Sequence, residues 1–437
     1  MTTYIEPRVL KGFRDFLPPA EIVRRNLTEK IENTFRSFGF VPIDTPALEY
    51  ADILLGKGGG ETEKQIYRFK DNGERDVALR FDLTVPFARY VALHRGELTF
   101  PFKRYHMGKV WRGENTQRGR YREFTQCDFD IIGSDSPASD FEIIYLIHTT
   151  FLNLGIGVTI HVNHRGLFNR FLTNSKISDK SVEILRTVDK LSKVGEDETL
   201  KSLAELTDSE NAQKILSFIG AKGSFTEILS SLTELSGGAC PESERLTLLR
   251  RYMIDATGSA SNADPFVLAP SITRGLDYYT GVVFETFLNE LPDIGSVCSG
   301  GRYDNLAGLY SKEKDSISGV GTSIGLDRLI AALESLEKLP DSKNHTAAIA
   351  CVNAEKSGLY QVLAQKFREE GVFCEVFTDA SGEKNLVKQF MLAEKKGLRY
   401  VIIPGENPLN CNVTLRDITA RKNSELTIKE AIKKMKE

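Results

Sequence analysis

The segment from Trp111 to Asp130, WRGENTQRGRYREFTQCDFD, constrains the fold more than any other stretch of the chain. It begins with closely spaced arginines, is interrupted at Gly119, and continues as an alternating run that ends on acids. Side chains alternate between the two faces of a strand. The pattern therefore predicts a hairpin over roughly 103–132. One face of its second strand would carry Arg120, Arg122, Phe124, Gln126, Asp128 and Asp130, and the other Tyr121, Glu123, Thr125, Cys127, Phe129 and Ile131.

The two ends of this strand face carry different chemical groups. Guanidinium groups at one end match phosphate oxygens, while the amide and carboxylates at the other end suit a cationic or polar small molecule. A solvated basic hairpin with surface salt bridges is the alternative. This segment by itself leaves both interpretations open.

Periodicity divides the first half of the chain into helices and strands. Apolar residues at helical spacing predict a helix over 20–38 that ends at Gly39. The following FVPIDTP predicts an edge strand, because Pro42 and Pro46 cannot donate to a ladder. Residues 66–82 predict a hairpin in which Asn72-Gly73 supplies the positive φ of the turn, and helical spacing returns at 84–94.

The second half changes character several times. Residues 165–260 are helical in period and rich in Ser, Lys, Glu and Leu, which indicates an inserted helical module. Strand-like, glycine-rich sequence returns at 266–325, a helix follows Gly325, and PDSKN at 340–344 predicts a linker. Alternating strands and helices then predict a small α/β domain. The expected domains are a core of 1–164 and 261–339, the insertion at 165–260, and the C-terminal domain at 345–437.

Composition narrows the class of protein. The chain has 437 residues, 41% of them hydrophobic and 27% charged, which is typical of a soluble protein with more than one domain. Six scattered cysteines without a C-x-x-C pair indicate reduced thiols rather than disulfides or a zinc site. With no apolar run of membrane length and no targeting pattern, we expect a cytoplasmic protein with no membrane partner. The net charge of −3 neither indicates nor excludes a nucleic-acid partner.

A second unusual segment is SGVGTSIGLDRL at 318–329. Strand alternation places Gly319, Gly321, Ser323 and Gly325 on one face, where a flat ring could approach the backbone. Arg328 would follow in the first turn of the next helix. A dinucleotide fingerprint fits poorly, because the glycine spacing is one residue too long. From this segment by itself, close packing is the favoured explanation of the glycines.

Three further groups of residues carry polar chemistry. ITRGLDYYTG joins Arg274 to Tyr278 and Tyr279, and CSGGRYD adds Tyr303 beside paired glycines. Paired tyrosines are also common as half-buried structural residues. HVNH at 161–164 offers two histidines but no third ligand at metal spacing, so the sequence predicts no bound metal.

Together, and in this order, these segments resemble the histidyl-tRNA synthetase family of class II aminoacyl-tRNA synthetases, over the whole chain. The 20–46 helix and strand resemble motif 1, the dimer element, KVWRGENTQRGRYREFTQCDFDIIG resembles motif 2, and GVGTSIGLDRL resembles motif 3. RGLDYYTG and SGGRYD are similar to segments specific to the histidine family. Asp327 stands where the class usually has Glu, and Asp82-Leu83-Thr84 stands where many bacterial members have Glu-Gly-Thr.

The resemblance implies a fold and a set of roles. The fold is α/β (α+β), with a class II antiparallel-sheet catalytic core, a helical insertion and a C-terminal α/β anticodon-binding domain. The implied ATP-binding residues are Arg112, Arg274 and Arg328, of which Arg112 and Arg274 are also catalytic. The implied histidine-binding residues are Asp82, Thr84, Gln126, Asp130, Tyr278, Tyr279 and Tyr303. The implied partners are L-histidine, ATP with Mg²⁺ as its substrate complex, tRNA(His) and a second copy of the chain, with no protein-bound metal or organic cofactor.

The implied activity is formation of histidyl-adenylate and transfer of histidine to tRNA. Two alternatives use the same fold: a non-catalytic paralogue, such as a regulatory subunit of ATP phosphoribosyltransferase, and a synthetase-like interaction module. The regulatory relative lacks the anticodon-binding tail and tends to lose catalytic residues. This chain keeps both, which favours the enzyme.

Overall fold

The computed structural model describes residues 4–56, 61–188, 191–258, 265–272, 278–310, 317–340, 347–378, 386–409 and 412–436. Arg274 and residues 341–344 of the predicted linker lie outside these ranges. The chain forms two compact units, one of Met1–Asp15 with Arg24–Leu339 and one of Phe16–Val23 with Pro340–Glu437.

The strands of the described residues form three sheets. They are β1 (Val41–Pro42), β2 (Leu48–Tyr50), β3 (Arg68–Lys70), β4 (Asp76–Leu79), β5 (Phe102–Trp111), β6 (Glu123–Ile132), β7 (Val158–His164), β8 (Phe266–Leu268), β9 (Val282–Leu288), β10 (Cys298–Tyr303), β11 (Gly319–Gly325), β12 (Ala347–Ile349), β13 (Cys374–Val376), β14 (Tyr400–Ile403), β15 (Val413–Asp417) and β16 (Lys422–Leu426).

The α-helices of the same ranges are α1 (Pro18–Ser37), α2 (Ala51–Leu55), α3 (Glu61–Gln65), α4 (Thr84–Leu93), α5 (Pro137–Asn153), α6 (Arg165–Asn174), α7 (Ser181–Val188), α8 (Leu191–Val194), α9 (Glu196–Leu206), α10 (Ser209–Ile219), α11 (Phe225–Leu235), α12 (Pro241–Thr257), α13 (Leu326–Ser335), α14 (Ser357–Glu369), α15 (Leu386–Lys395) and α16 (Ile428–Lys436).

The largest sheet has the strand order β1-β5-β6-β11-β10-β9-β7-β8. Its central ladders from β5 to β7 are antiparallel, and the short outermost strands β1 and β8 each pair in parallel. One face of β6 is apolar and packs against helices, as where the ring of Phe129 lies 4.5 Å from that of Phe35 in α1. Because side chains alternate along a strand, the opposite face of β6 is left for the polar residues.

The first unit confirms several predicted elements. The N-terminal helix ends where predicted, and Gly39 has φ +79°, a conformation that suits glycine. The proline strand is β1, and it lies at the edge of the sheet beside β5. Between Arg165 and Thr257 the described elements are all helical, as the composition of this stretch predicts.

One turn prediction needs correction. The hairpin of β3 and β4 forms, but its positive φ belongs to Glu74 (+59°) and not to the Asn72-Gly73 pair. The Asp71 carboxylate accepts hydrogen bonds from the N–H groups of Gly73 and Arg75, which stabilises a longer turn.

The hairpin of β5 and β6 is also confirmed, but its second strand begins only at Glu123. Arg120 and Arg122 were predicted to share the strand face of Gln126, and instead they lie in the connection before it. Their backbone bonds hold them there: Arg120 pairs with Gln117 across a local turn, and the Arg122 N–H donates to the Gly12 carbonyl. The arginines are therefore placed by the connection and not by strand alternation.

The C-terminal residues form a mixed sheet of order β13-β12-β14-β15-β16. Strand β12 is parallel to both β13 and β14, and the β14-β15-β16 ladders are antiparallel. Helices α14, α15 and α16 contribute buried residues such as Phe367, Ala393 and Ile432 to a core that draws only on this part of the chain. The predicted α/β domain therefore has its own hydrophobic core.

Candidate active site

The polar face of β6 forms the floor of the site. Gln126, Asp128 and Asp130 follow one another along this face, and the residues paired with them come from the two neighbouring strands. On β5 the partners of these three are Gly108, His106 and Arg104, and on β11 they are Gly325, Ser323 and Gly321. Because the paired glycines have no side chains, the polar side chains of β6 are the groups that project from this part of the floor.

Asp130 lies at one end of this floor and is 2% exposed. Its Oδ1 accepts a hydrogen bond of 2.6 Å from the Tyr303 hydroxyl, and its Oδ2 lies 2.5 Å from Nη2 of Arg104. Arg104 is completely buried, and its guanidinium carbon stacks 4.1 Å from the centroid of Phe87. Burial raises the pKa of Asp130, and the Arg104 cation opposes that shift.

The glycines of β11 make room for side chains of the protein itself. A Cβ on Gly321 would lie 1.8 Å from Oδ1 of Asp130, and one on Gly319 would lie 2.6 Å from the Tyr303 ring. The bare strand face predicted from the sequence is therefore filled by the carboxylate and the phenol. Close packing, the explanation that the sequence favours, applies at these two positions.

Asp82 lies at the start of α4 and is 1% exposed. Its Oδ1 accepts a 3.0 Å hydrogen bond from the Val85 N–H, and the Tyr278 hydroxyl approaches Oδ2 at 3.4 Å. Burial raises the pKa of Asp82 to about 6, an effect that nearby Arg112 and Arg104 reduce. Thr84, the first residue of α4, hydrogen-bonds Tyr278.

Three tyrosines form one wall. The ring of Tyr278 meets that of Tyr279 edge-on at 4.9 Å and that of Tyr303 at 6.1 Å. Tyr279 passes over β10, where a Cβ on Gly301 would lie 3.0 Å from its ring. The predicted pocket residues Asp82, Thr84, Asp130 and the three tyrosines are thus brought together from four separate parts of the chain.

Gln126 is the next polar residue of the floor. Its Nε2 donates a 2.8 Å hydrogen bond to Oγ of Ser323 on β11, and the Ser323 hydroxyl in turn hydrogen-bonds Asp128. Burial raises the pKa of Asp128 to about 7, which makes it a strongly perturbed carboxyl at the centre of the floor.

Three arginines lie at the end of the floor opposite Asp130. Nε of Arg112 donates to the Phe81 carbonyl at 2.9 Å, and its guanidinium carbon lies 5.2 Å from the centroid of Phe124. Arg328 donates to the Ser296 carbonyl, and its pKa is lowered by burial and by the neighbouring cations of Arg120 and Arg112. Like charges this close favour a polyanion between them.

Asp327 does not line the floor. Its Oδ1 accepts hydrogen bonds from Arg14 and Arg24, and its Oδ2 accepts one of 2.6 Å from the Thr125 N–H. This buried carboxylate ties α13 to α1 and to the beginning of β6. It therefore fixes the strand that carries the site.

Several polar residues have structural or peripheral positions. Arg302 is buried in an ion pair of 2.6 Å with Asp140, so it supports the sheet. His161 packs 4.8 Å from the Phe287 ring, and Nδ1 of His164 accepts from the Gly166 N–H at the start of α6. The described residues contain no cluster of three or more His, Cys, Asp or Glu side chains that could hold a metal ion. Nor does any helix among them have the length and apolar character needed to cross a membrane.

Arg104 and Asp128 were not singled out as site residues from the sequence. A signal for Asp128 was present, because it alternates with Gln126 and Asp130. Arg104 could have been found from RYHMG at 104–108. Strand alternation places this arginine on one face of a strand that is otherwise expected to be buried. Only the strand pairing reveals that it faces Asp130.

Comparison with known proteins gives matches along the whole chain. Residues 12–329 match the family model described as histidyl-tRNA synthetase, and residues 346–437 match the anticodon binding domain model. The histidine–tRNA ligase of Treponema denticola is 51% identical over 453 aligned residues, which cover 100% of this chain and 99% of that protein.

Two solved structures show the same fold. The histidyl-tRNA synthetase of Nostoc sp. PCC 7120 superimposes with a TM-score of 0.83 at 32% identity and covers 99% of both chains. A Bacillus halodurans structure, titled as an ATP phosphoribosyltransferase regulatory subunit/histidyl-tRNA synthetase, has a TM-score of 0.75 at 21% identity and covers 92% of this chain and 99% of its own. At that identity the likeness concerns the fold alone. On the strength of both family models and the full-length relative, the chain belongs to the histidyl-tRNA synthetase family.

Proposed function

We propose that this protein activates L-histidine with ATP to form histidyl-adenylate and pyrophosphate, and then transfers the histidine to the 3′ end of tRNA(His). One observation carries the proposal: the order of chemical groups along β6. Arginines that favour a polyanion lie at one end, Gln126 and Asp128 lie in the middle, and Asp130 with its tyrosines lies at the other end. Histidyl-adenylate has the same order of phosphate, amino-acid backbone and imidazole.

In the first step an oxygen of the histidine carboxylate forms a bond to the α-phosphorus of ATP. The bond from that phosphorus to the bridging oxygen breaks, and pyrophosphate leaves with the electron pair. Negative charge increases on the α-phosphate oxygens in the transition state. Guanidinium groups that are already fixed, as Arg112 is by the Phe81 carbonyl, stabilise this charge without reorganising.

Roles of the individual arginines are implied by the family resemblance. Arg112 would bind the α-phosphate, and Arg328 the γ-phosphate. Arg274 would reach both the histidine carboxylate and the α-phosphate. Mg²⁺ would enter with ATP as part of the substrate, and its charge would offset that of the triphosphate. Positioning and electrostatics are sufficient for the reaction, since the attacking nucleophile belongs to the substrate.

The tyrosine wall and the acids form the proposed histidine pocket. Asp130 and Tyr279 would hydrogen-bond the two imidazole nitrogens, and Asp82 would bind the α-ammonium group. Thr84, Gln126, Tyr278 and Tyr303 would line the rest of the pocket. A pocket of this kind rejects apolar analogues, because its buried polar groups would be left without partners.

A non-catalytic paralogue is the alternative function for the same fold. The match of residues 346–437 to the anticodon binding domain argues against it, as do the buried acids and the clustered arginines. The discriminating experiment is histidine-dependent exchange of labelled pyrophosphate into ATP, followed by charging of tRNA(His). We expect both activities, in the cytoplasm of the producing cell. A folded protein that binds neither histidine nor ATP would contradict the proposal.

Asp130→Asn is expected to weaken histidine binding while leaving ATP binding nearly unchanged. Loss of a charge-assisted hydrogen bond in a pocket costs on the order of 1.5–3 kcal/mol. The KM values for histidine and ATP in the exchange assay measure the two effects separately. Because the same substitution removes the charge that faces Arg104, thermal unfolding must show that the variant is folded. An unchanged histidine KM in a folded variant would remove Asp130 from the imidazole site.

We also propose that the protein forms a two-fold dimer through the surface of α1 and β1. Strand β1 is a sheet edge, and edges are usually covered or paired. Beside it lies a cavity of about 600 Å³ lined by residues of α1, β1 and β5 and by Asp44 and Arg80. Val41 on the edge strand is 46% exposed. Sedimentation velocity at micromolar concentration should give the mass of two chains, and a fully active monomer would contradict this.

A further inference from the structure

Two buried acceptor atoms on the floor of the site have neither a hydrogen-bond donor nor an ion-pair partner among the described residues. They are Oδ1 of Asp128 and Oε1 of Gln126. Both side chains are more than nine-tenths buried, at 1% and 8% exposed. Leaving a buried acceptor without a partner is costly, so such atoms indicate a ligand with donors.

The two acceptors form one unit. Ser323 accepts from Nε2 of Gln126 and hydrogen-bonds Asp128, so its single hydroxyl fixes both side chains. This bond engages the Nε2 donor of the Gln126 amide, so that the amide oxygen Oε1 is left without a partner among the described residues. A carboxylate oxygen and an amide oxygen held in this way both require N–H or O–H donors.

The charges around Asp128 favour a cation. Asp130 on the same strand and Asp82 before α4 are acidic neighbours. Arg104 on β5 has the largest charge effect on the pKa of Asp128, which it lowers, but it is already paired with Asp130. Arg80, which follows β4, donates to the carbonyls of Thr45 and Lys109. His106, opposite Asp128 on β5, has a pKa lowered to about 3 by burial and by Arg104 and Arg80, and is therefore neutral. The three acids thus exceed the cations paired with them.

Position along β6 selects the cationic group. Residues two apart on a strand are separated by about 6.6 Å, so Asp128 lies one such step from Asp130 and one from Gln126, towards the arginines. In histidine the α-carbon lies between the imidazole and the carboxylate that attacks phosphorus, and the α-ammonium group is attached to this α-carbon. An ammonium has three N–H donors and no acceptor, which suits a site made only of oxygens.

We infer that Asp128, together with Gln126, accepts hydrogen bonds from the α-ammonium group of the amino-acid substrate. Asp128 is then a further substrate-binding residue, in addition to Asp82, which has one oxygen committed to the Val85 N–H. The inference rests on the proposed function, since it concerns the histidine subsite of that reaction. It explains why a carboxyl is held at this position despite the cost of burying it.

The test uses Asp128→Asn in the full chain, with binding measured by calorimetry. Histidinol, which has the ammonium but no carboxylate, and histidine should both bind about tenfold more weakly or worse. Imidazole-lactate, which offers one neutral hydroxyl in place of the charged ammonium, should lose less affinity, about threefold or less, and ATP should keep its Kd within about twofold. Asp130→Asn is the matched comparison, because it should weaken imidazole-lactate as well.

Stability gives an independent readout. The pKa of Asp128 is raised from 3.8 to about 7 in the fold, so its contribution to stability is present below about pH 4 and is lost as the pH rises through 7. Removing the charge should leave the thermal midpoint at pH 8 unchanged or higher, and the difference from wild type should shrink towards pH 4. A purely structural role would instead lower the midpoint.

The possible outcomes distinguish failure of the inference from failure of the proposed function. If wild type binds histidine and folded Asp128→Asn binds histidinol equally well, the inference is wrong. Equal weakening of histidinol and imidazole-lactate, or a lower midpoint at pH 8, would also overturn it, because Asp128 would then support the pocket as a whole. If wild type itself fails to bind histidine, the proposed function fails.

Discussion

Replacing Arg112 with alanine is expected to lower the kcat of histidine-dependent pyrophosphate exchange by about 10²- to 10³-fold, with a much smaller change in the KM for histidine. Its guanidinium is fixed by a 2.9 Å bond to the Phe81 carbonyl and lies over the Phe124 ring. The charge that it stabilises is greatest when the α-phosphorus is pentacoordinate. Its loss is therefore a loss in the transition state and not in substrate binding.

Arg112→Lys should recover only part of the rate, because a point charge cannot reproduce the planar fork. Arg118→Ala is the matched control, since Arg118 is an exposed arginine of the same connection. It should leave pyrophosphate exchange within about twofold, in line with the small effects of exposed substitutions. Single-turnover adenylate formation, measured by rapid quench, isolates the chemical step. A wild-type rate for Arg112→Ala in that assay would exclude Arg112 from the mechanism.

Ending the chain at Pro340 is expected to abolish charging of tRNA(His) almost completely, while pyrophosphate exchange stays within about tenfold of wild type, equivalent to ~1.4 kcal/mol. Every residue assigned to ATP or histidine lies at or before Arg328. The removed residues have their own sheet and their own buried core, and 346–437 match the anticodon binding domain. The two activities should therefore separate.

Controls are needed because Phe16–Val23 group in one compact unit with the C-terminal residues. Circular dichroism and sedimentation of the 1–340 fragment should accompany both assays, so that unfolding or dissociation is recognised. Lys429, Lys433, Lys434 and Lys436 of α16 serve for a milder test in the full-length chain. Their replacement by glutamine distinguishes direct RNA contact from a solubilising role. A folded dimeric fragment that charges tRNA as well as the full chain would show that the C-terminal domain has another purpose.

The sequence by itself determined the elements whose signals are local. Helical spacing and Gly39 located the first helix, and the prolines at 42 and 46 identified an edge strand. Alternation within 123–132 placed Gln126, Asp128 and Asp130 on one face of β6. These signals are reliable because a period of two or 3.6 residues depends only on near neighbours.

Strand alternation gave a wrong prediction for the residues that precede strand β6. Arg120 and Arg122 follow the same pattern as Gln126, but Arg122 is held by a backbone bond to Gly12, more than a hundred residues away in sequence. The turn at 71–75 shows the same limit at short range. There the bonds of the Asp71 carboxylate moved the positive φ from the glycine to Glu74.

Only the tertiary structure decided what the polar face of β6 is bonded to. The hydroxyl of Tyr303 reaches Asp130 across 173 residues of sequence, and Ser323 reaches Gln126 across 197. Strand pairing also buries Arg104 against Asp130 and leaves an oxygen of Asp128 without a donor among the described residues. A one-dimensional pattern gives the face of each strand, but the identity of the residue opposite depends on register between distant strands, which is set by how the whole sheet buries its apolar side.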